Sequence, residues 1–275
     1  MGFEKEKLKI DTFFDKISPK ERIYSEIESS KIIDNVIGFI PACDSCDSSI
    51  LITNLAVFIA KKGLNVCILD NKVFSPNIYM LLDCKAVNKG NGLIKALRSD
   101  RIDIKNELIE TKYKNLYLLS PSPFDPIEDY FDFNLNDIER VMSSLKEMFD
   151  VILVDIPNNP PLEFFIGSIK YCNAAFFIWS ERSDCPINTY RLVEYIKSLA
   201  INTQKIKNII INNSHGFPFD KSVITEMGMK HIAEFPFIPN IVQLSLEGKV
   251  YIEDSFTHHK SYVKALKRLA EMITK

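Results

Sequence analysis

The sequence predicts an α/β fold: a doubly wound, mostly parallel sheet with helices on both faces. Three observations carry the prediction. Short apolar runs recur without inward and outward alternation at Val36–Ile40, Asn65–Leu69, Leu116–Leu119, Val151–Val154, Ala174–Trp179 and Ile206–Ile211, as strands covered on both faces require. Segments of helical period separate these runs, and strands alternating with helices form parallel sheets. The chain has 275 residues, 46% hydrophobic and 25% charged, enough for one sizeable core, and it contains no repeat or low-complexity stretch.

Residues 1–33 mix Glu, Lys and Asp with scattered Phe and Ile around Pro19. They are expected to be an N-terminal extension of short helices or a partly mobile lead-in. Residues 34–275 are expected to form one domain.

The stretch Val36–Lys62 organises that domain. A buried strand, Val36–Ile40, leads through a polar loop into an apolar helix that starts at Ser48 and ends in Lys61, Lys62 and Gly63. Strand, loop and helix in this order are the setting of a phosphate-binding loop, whose glycines let backbone amides close on phosphate and whose lysine neutralises it. Here the loop reads Pro41, Ala42, Cys43, Asp44, Ser45, Cys46, Asp47, Ser48, Ser49, with neither glycine nor lysine. The whole chain has 9 glycines, about half the usual share.

Next come the strand closed by Asp70, short helices at Pro76–Leu82 and Gly92–Arg98, the strand Leu116–Leu119, and a rigid loop, Ser120–Pro126. Leu135, Ile138, Val141, Met142, Leu145 and Met148 lie at helical spacing and lead into VILV, with Asp155 at its end. Further helices are predicted at Pro161–Ile169, Cys185–Leu199, Lys221–Met227 and His259–Ile273, and a brief strand at His231–Phe235. In such sheets ligands bind at the carboxyl ends of the strands. The loops gathered there are Pro41–Ser48, Asp70–Ser75, Asp155–Pro160 and Asn212–Phe217.

These loops, in this order, resemble the MinD/ParA group of deviant P-loop ATPases, from about Val36 to the C-terminus. Within the group the chain is most similar to the CpaE/TadZ pilus-assembly branch, through FDVILVDIP with Pro160 and Pro161, the segment Asn173–Leu199, and an ending of Phe235, Pro236, Gly248, Lys249 and SYVKALKRLAEMI. Counting back from Asn54, the resemblance puts the signature lysine at Cys43, the Walker lysine at Ser48, the magnesium-binding hydroxyl at Ser49, and the loop glycines at Asp44, Ser45 and Asp47. The family's Asp-x-Asp pair falls on Asp70 and Lys72, its Walker B aspartate on Asp155, and its adenine-contacting asparagine on Asn212. ATP and magnesium, with Ser49 and Asp155 as metal residues, are the cofactors the resemblance implies. The residues present imply instead a degenerate site that takes none.

Phosphoryl transfer rests on positioning and positive charge, and here carboxylates replace cations. Each carboxylate about 4 Å from a phosphate charge costs about 1 kcal/mol in water and about 4 kcal/mol at an effective dielectric near 20. Side chains at Asp44, Ser45 and Asp47 are also expected to hinder the positive-φ conformations that glycine allows. The expectation is a catalytically inactive localisation or assembly scaffold, for a pilus or secretion apparatus by resemblance. The alternative is an ATP-binding switch controlling dimerisation in cell, plasmid or organelle positioning. By resemblance, partners are proteins of such a system, including a second copy or a related ATPase.

Other features receive plainer readings. Cys43 and Cys46 form a Cys-x-x-Cys at a helix N-terminus, read as two small residues filling a loop, with a redox switch or half a metal site as the alternative. Lys72 is read as solvated, the alternative being that it folds back on the phosphate site. Asp155 is read as structural, His215 as a loop residue, and His258 and His259 as a solvated helix start. The last helix is expected to pack on the sheet through Tyr262, Leu266, Leu269, Ala270 and Ile273, rather than bind a membrane through its lysines. Phe124, Tyr130, Phe131, Phe133, Phe164 and Phe165 are expected to be mostly core, any exposed members forming a patch for a partner. A formal charge of -2 gives no global basic field for nucleic acid. Without a leader-like or membrane-spanning apolar run, and with cysteines in apolar or helical segments, the expected location is the cytoplasm.

Overall fold

The strands Val36–Pro41, Val66–Asp70, Val151–Asp155 and Ala174–Trp179 are buried at every residue, and the sheet is accordingly sandwiched between helices. The computed structural model describes residues 35–99, 104–159, 162–253 and 259–274. The readings for residues 1–33, Pro160, Pro161, His258 and Lys275 lie outside them. Eight strands form one sheet: β1 (Val36–Pro41), β2 (Val66–Asp70), β3 (Ile109–Glu110), β4 (Leu116–Leu119), β5 (Val151–Asp155), β6 (Ala174–Trp179), β7 (Asn208–Asn212) and β8 (Lys230–Phe235). Their spatial order is β3-β4-β2-β5-β1-β6-β7-β8. All neighbouring pairs are parallel except β3–β4, an antiparallel edge. The first strand lies in the interior of the sheet, and the chain winds away from it in both directions, so the loops after β1, β2, β5 and β7 open on one edge.

Helix α1 (Ser48–Ala60) is buried at every residue but Phe58, as its all-round apolar sequence requires. Its buried polar residue Asn54 is satisfied locally and across the fold. The side-chain amide donates to the Ile50 carbonyl at 2.8 Å, and its oxygen accepts from the Ile252 amide at 3.2 Å. Short helices α2 (Ile78–Leu81) and α3 (Leu93–Arg98) precede α4 (Leu135–Lys146), which starts with a capping box between Asn134 and Asp137. Then follow α5 (Leu162–Tyr171), α6 (Asp184–Ser198), α7 (Ser222–Glu226), α8 (Ile241–Leu246) and α9 (Lys260–Ile273). Helix α9 packs on α1 and β8 through Tyr262, Leu266, Leu269, Ala270 and Ile273, as its spacing predicts. No helix among the described residues is long and apolar enough to cross a membrane.

Two departures from the sequence reading are informative. Ile206 closes a 3-10 turn, and β7 starts at Asn208. The edge pairing at β3 and helix α8 have no counterpart in the predicted elements. Of the six aromatic residues, Tyr130, Phe133, Phe164 and Phe165 are buried, while Phe124 and Phe131 are exposed.

Gly38 marks the tightest point of the central strand. A Cβ there would lie 2.5 Å from Ile156 Cδ1 and 3.1 Å from both Ala175 Cβ and Cys172 Sγ. Gly38→Val is therefore expected to destabilise the fold by about 1–3 kcal/mol through overpacking, read as a lowered urea midpoint. An unchanged midpoint would mean that the neighbours move aside freely.

Candidate functional site

Strand register brings two carboxylates together. Asp70 and Asp155 are partners across β2 and β5, and Asp155 is also level with Phe39 of β1. Both are completely buried. A buried carboxylate needs a cation or several donors, since desolvation otherwise forces its protonation.

Lys72 supplies that cation. Its Nζ lies 2.8 Å from Asp155 Oδ1, and it donates to Ser48 Oγ at 2.8 Å and Ser49 Oγ at 3.1 Å. Ser49 Oγ donates in turn to Asp155 Oδ2 at 2.5 Å. The reading of Lys72 as solvated is thus corrected: its side chain is 16% exposed and folds back onto the loop. The reason is the wholly buried Asp155, which draws in the ammonium across the short turn after β2. Asp70 accepts the Lys72 backbone amide at 3.1 Å. Burial, then the charge of Asp155, pushes its carboxyl up to about 7, with the Lys72 charge opposing.

The loop between β1 and α1 is held by other parts of the chain. Asp44–Cys46 form a 3-10 turn, and Asp47 takes the left-handed conformation at φ 49°, ψ 36°. The expectation that a side chain hinders positive φ fails at Asp47, because aspartate is among the few L-residues that visit this region routinely. Ser45, at φ -91°, does not adopt it. Burial raises the Asp47 carboxyl, opposed by a hydrogen bond from Ser214. Asn212 donates its side-chain amide to the Cys46 carbonyl at 2.9 Å, Ser214 Oγ donates to the Ser45 carbonyl at 3.0 Å, and Asn188 donates to the Ala42 carbonyl at 2.9 Å. Asn212, assigned to a base by resemblance, is here engaged with the loop.

Two residues at this edge were not singled out from sequence. Glu181 accepts backbone N–H bonds from Ser214, His215 and Gly216 at 2.9, 3.1 and 2.7 Å. Partial burial would raise its carboxyl, but those bonds hold it below the usual range. Cys185, in the first turn of α6, lies beside Cys43 and Cys46. Its only sequence signal was a third cysteine at the mouth of a predicted strand-to-helix loop.

An open cleft of about 470 Å³ lies against the ion pair, lined by Asp44, Asp47, Ser48, Ser49, Lys72 and Asn158 among others. A divalent cation in a phosphate loop takes the loop hydroxyl and a strand-end aspartate. Here Asp155 and both serine hydroxyls bind an ammonium instead.

No family model matches the chain. A curated protein of Methanocaldococcus jannaschii, described as an uncharacterized ATP-binding protein, is 27% identical over 125 residues, 45% of this chain and 44% of that protein. The chain spans about half the length of the curated relatives it matches. The structure of the Pyrococcus horikoshii septum site-determining protein MinD, complexed with Mg-ADP, superposes with a TM-score of 0.73 at 20% identity, covering 88% of this chain and 96% of that one. A ParA family ATPase of Chlorobium tepidum gives a TM-score of 0.71 at 16% identity, covering 87% and 98%. The chain has the fold shared by these two structures, that of MinD/ParA P-loop NTPases.

The ion pair makes two measurable predictions. Lys72→Met leaves Asp155 buried without its cation and is expected to cost about 3–5 kcal/mol, most of it recovered when Asp155→Asn is added. Additive losses in the double-mutant cycle would refute the coupling. Asp70 binds a proton more tightly folded than unfolded, so from about pH 4 to 7 it makes stability fall as pH rises, by at most about 1.4 kcal/mol per pH unit. Asp70→Asn is therefore expected to gain thermal stability relative to the parent chain between pH 5 and pH 8. Parallel curves would contradict the raised carboxyl.

Proposed function

We propose that this chain is a non-enzymatic scaffold, a MinD/ParA-type domain with a degenerate P-loop that places or recruits a larger assembly through protein contacts. The observation that carries this reading is the Lys72 ammonium on Asp155, Ser48 and Ser49. In an active phosphate loop the cation-binding groups are left for magnesium and its nucleotide. Here a tethered amine competes for them with any free ion.

The surroundings add to that cost. A phosphate entering the cleft meets Asp44 and Asp47 on its lining, and the one lysine that lines it is already paired with Asp155. Asn212, Glu181 and the backbone amides of 214–216 are likewise bonded within the chain. The resemblance of FDVILVDIP and of the Asn173–Leu199 segment to the CpaE/TadZ branch supports a pilus or secretion apparatus as the assembly served. A structure of the Aquifex aeolicus MinC:MinD cell division protein complex has the same fold at a TM-score of 0.67, which supports protein partners, a second copy or a related ATPase among them. The exposed Phe124 and Phe131 are candidates for such a contact. Phe165, buried, is not.

A second reading, an ATP-binding switch that controls dimerisation, draws on the open cleft beside the loop and on the ATP-binding description of the Methanocaldococcus relative.

Isothermal titration separates the two. The reduced protein is expected to give no saturable heat with ATP and magnesium up to about millimolar concentration, where even weak sites register. Saturable binding lost in Ser49→Ala or Asp155→Ala, or ATP turnover abolished by Asp155→Ala, would put the switch reading first.

A further inference from the structure

We propose that Cys43, Cys46 and Cys185, with the Ser180 hydroxyl, form a binding site for Zn²⁺ that ties the loop after β1 to the first turn of α6. The thiol sulfurs converge from two segments: Cys43 Sγ lies 3.0 Å from Cys46 Sγ and 3.3 Å from Cys185 Sγ, and Cys46 Sγ lies 3.9 Å from Cys185 Sγ. All three residues are buried, at 6%, 0% and 0% exposure. No other group of three or more metal-ligating side chains converges in this way among the described residues.

Ser180 is the candidate for the fourth donor. Ser180 Oγ lies 3.5 Å from Cys43 Sγ and 3.9 Å from Cys185 Sγ. Zinc–sulfur bonds of about 2.3 Å and zinc–oxygen bonds of about 2.0 Å set tetrahedral edges of about 3.8 Å between sulfurs and about 3.5 Å between sulfur and oxygen. The longest sulfur–sulfur edge and the shorter serine edge already match, and the two short edges need to open by less than about 1 Å. The filled site needs no partner subunit, unlike a Cys-x-x-Cys acting as half of a shared one.

Charge also favours loading. Cys43 Sγ is in hydrogen-bond contact with the Cys46 and Cys185 thiols and with the Ser180 and Ser45 hydroxyls, so the cluster is polar and lies within the chain. The positive end of α6, a helix of 15 residues, lies at Cys185. Zn²⁺ binding forms three zinc–sulfur bonds to thiolates and releases to solvent the proton of each cysteine that enters as a thiol. No redox step is involved. None of the three cysteines lines the cleft beside Lys72, so the site is independent of whether a nucleotide binds there.

The test is metal analysis of the full chain, purified with reductant and zinc and passed over a chelating resin, followed by Co²⁺ substitution. About one zinc per chain is expected, and Co²⁺ should give sulfur-to-metal charge transfer with intense tetrahedral visible bands. Cys185→Ser should abolish stoichiometric binding, Ser180→Ala should keep the charge transfer but loosen binding about tenfold or more, and Cys172→Ser, buried elsewhere, should change neither. Absence of charge transfer in the unsubstituted reduced chain would overturn the proposal, whether or not the variants fold. So would a Cys43–Cys46 disulfide in protein kept under reductant, since it removes two of the ligands.

Discussion

Most of the arrangement at the carboxyl edge of the sheet follows from one constraint, the burial of Asp155. A carboxylate with no exposed surface in the middle of a parallel sheet must be neutralised, and the groups within reach are Lys72 and the first two residues of α1. The ammonium fixes the turn after β2, and the serine hydroxyls fix the start of α1. Between them they set where the loop from Ala42 to Asp47 runs. The same ion pair bears on the neighbouring acid, since Asp70 faces a second carboxylate and has backbone amides of Lys72 and Ile78, the Ser120 hydroxyl at 3.5 Å and a distant share of Lys72.

The loop itself is stabilised from within the chain. Its carbonyls accept from Asn188, Asn212 and Ser214, and its one left-handed residue is an aspartate rather than a glycine. In a phosphate-binding loop a ligand supplies many of the restraints, because the converging amides repel one another until an anion arrives. Here carbonyls are turned towards donors of neighbouring segments. The anion-binding turn that does exist, at residues 214–216, already holds Glu181.

The fold was legible in the sequence because its signals are local and repeated. Apolar runs such as VILV and AAFFIW can only be buried strands, and the period of α9 shows which side packs. The edge strand β3 and helix α8 were not legible, since a two-residue pairing has no period and Leu246 in α8 is 84% exposed. At the site, Asp70, Asp155, Ser49 and Asn212 were singled out through the family resemblance, which assigns them to the loops after β1, β2, β5 and β7. Lys72 was placed correctly in sequence but misread in its contacts, because a lysine two residues beyond a strand reads the same whether it reaches water or a buried acid. Cys185 lies far from Cys43 and Cys46 in sequence and next to them in space, a relation that only the pairing of β1 with β6 creates.

These contacts bear on how such a domain could change state. A ligand shifts a conformational equilibrium only by its difference in affinity for the two forms. In a nucleotide-driven switch that difference comes from phosphate and metal contacts made in one state and broken in the other. On the proposed reading, Lys72, Asn212 and Glu181 make the corresponding contacts permanently, so the nucleotide has little differential affinity left to exert. Any remaining adjustability at this edge lies where the chain's own groups are under-coordinated. The buried thiols fit that description, packed closer than their sulfurs would be around an ion and joined to both the loop and α6. Loading or stripping an ion there moves the loop relative to α6 without involving the cleft, and so separates control of the loop from the nucleotide chemistry that the fold otherwise serves.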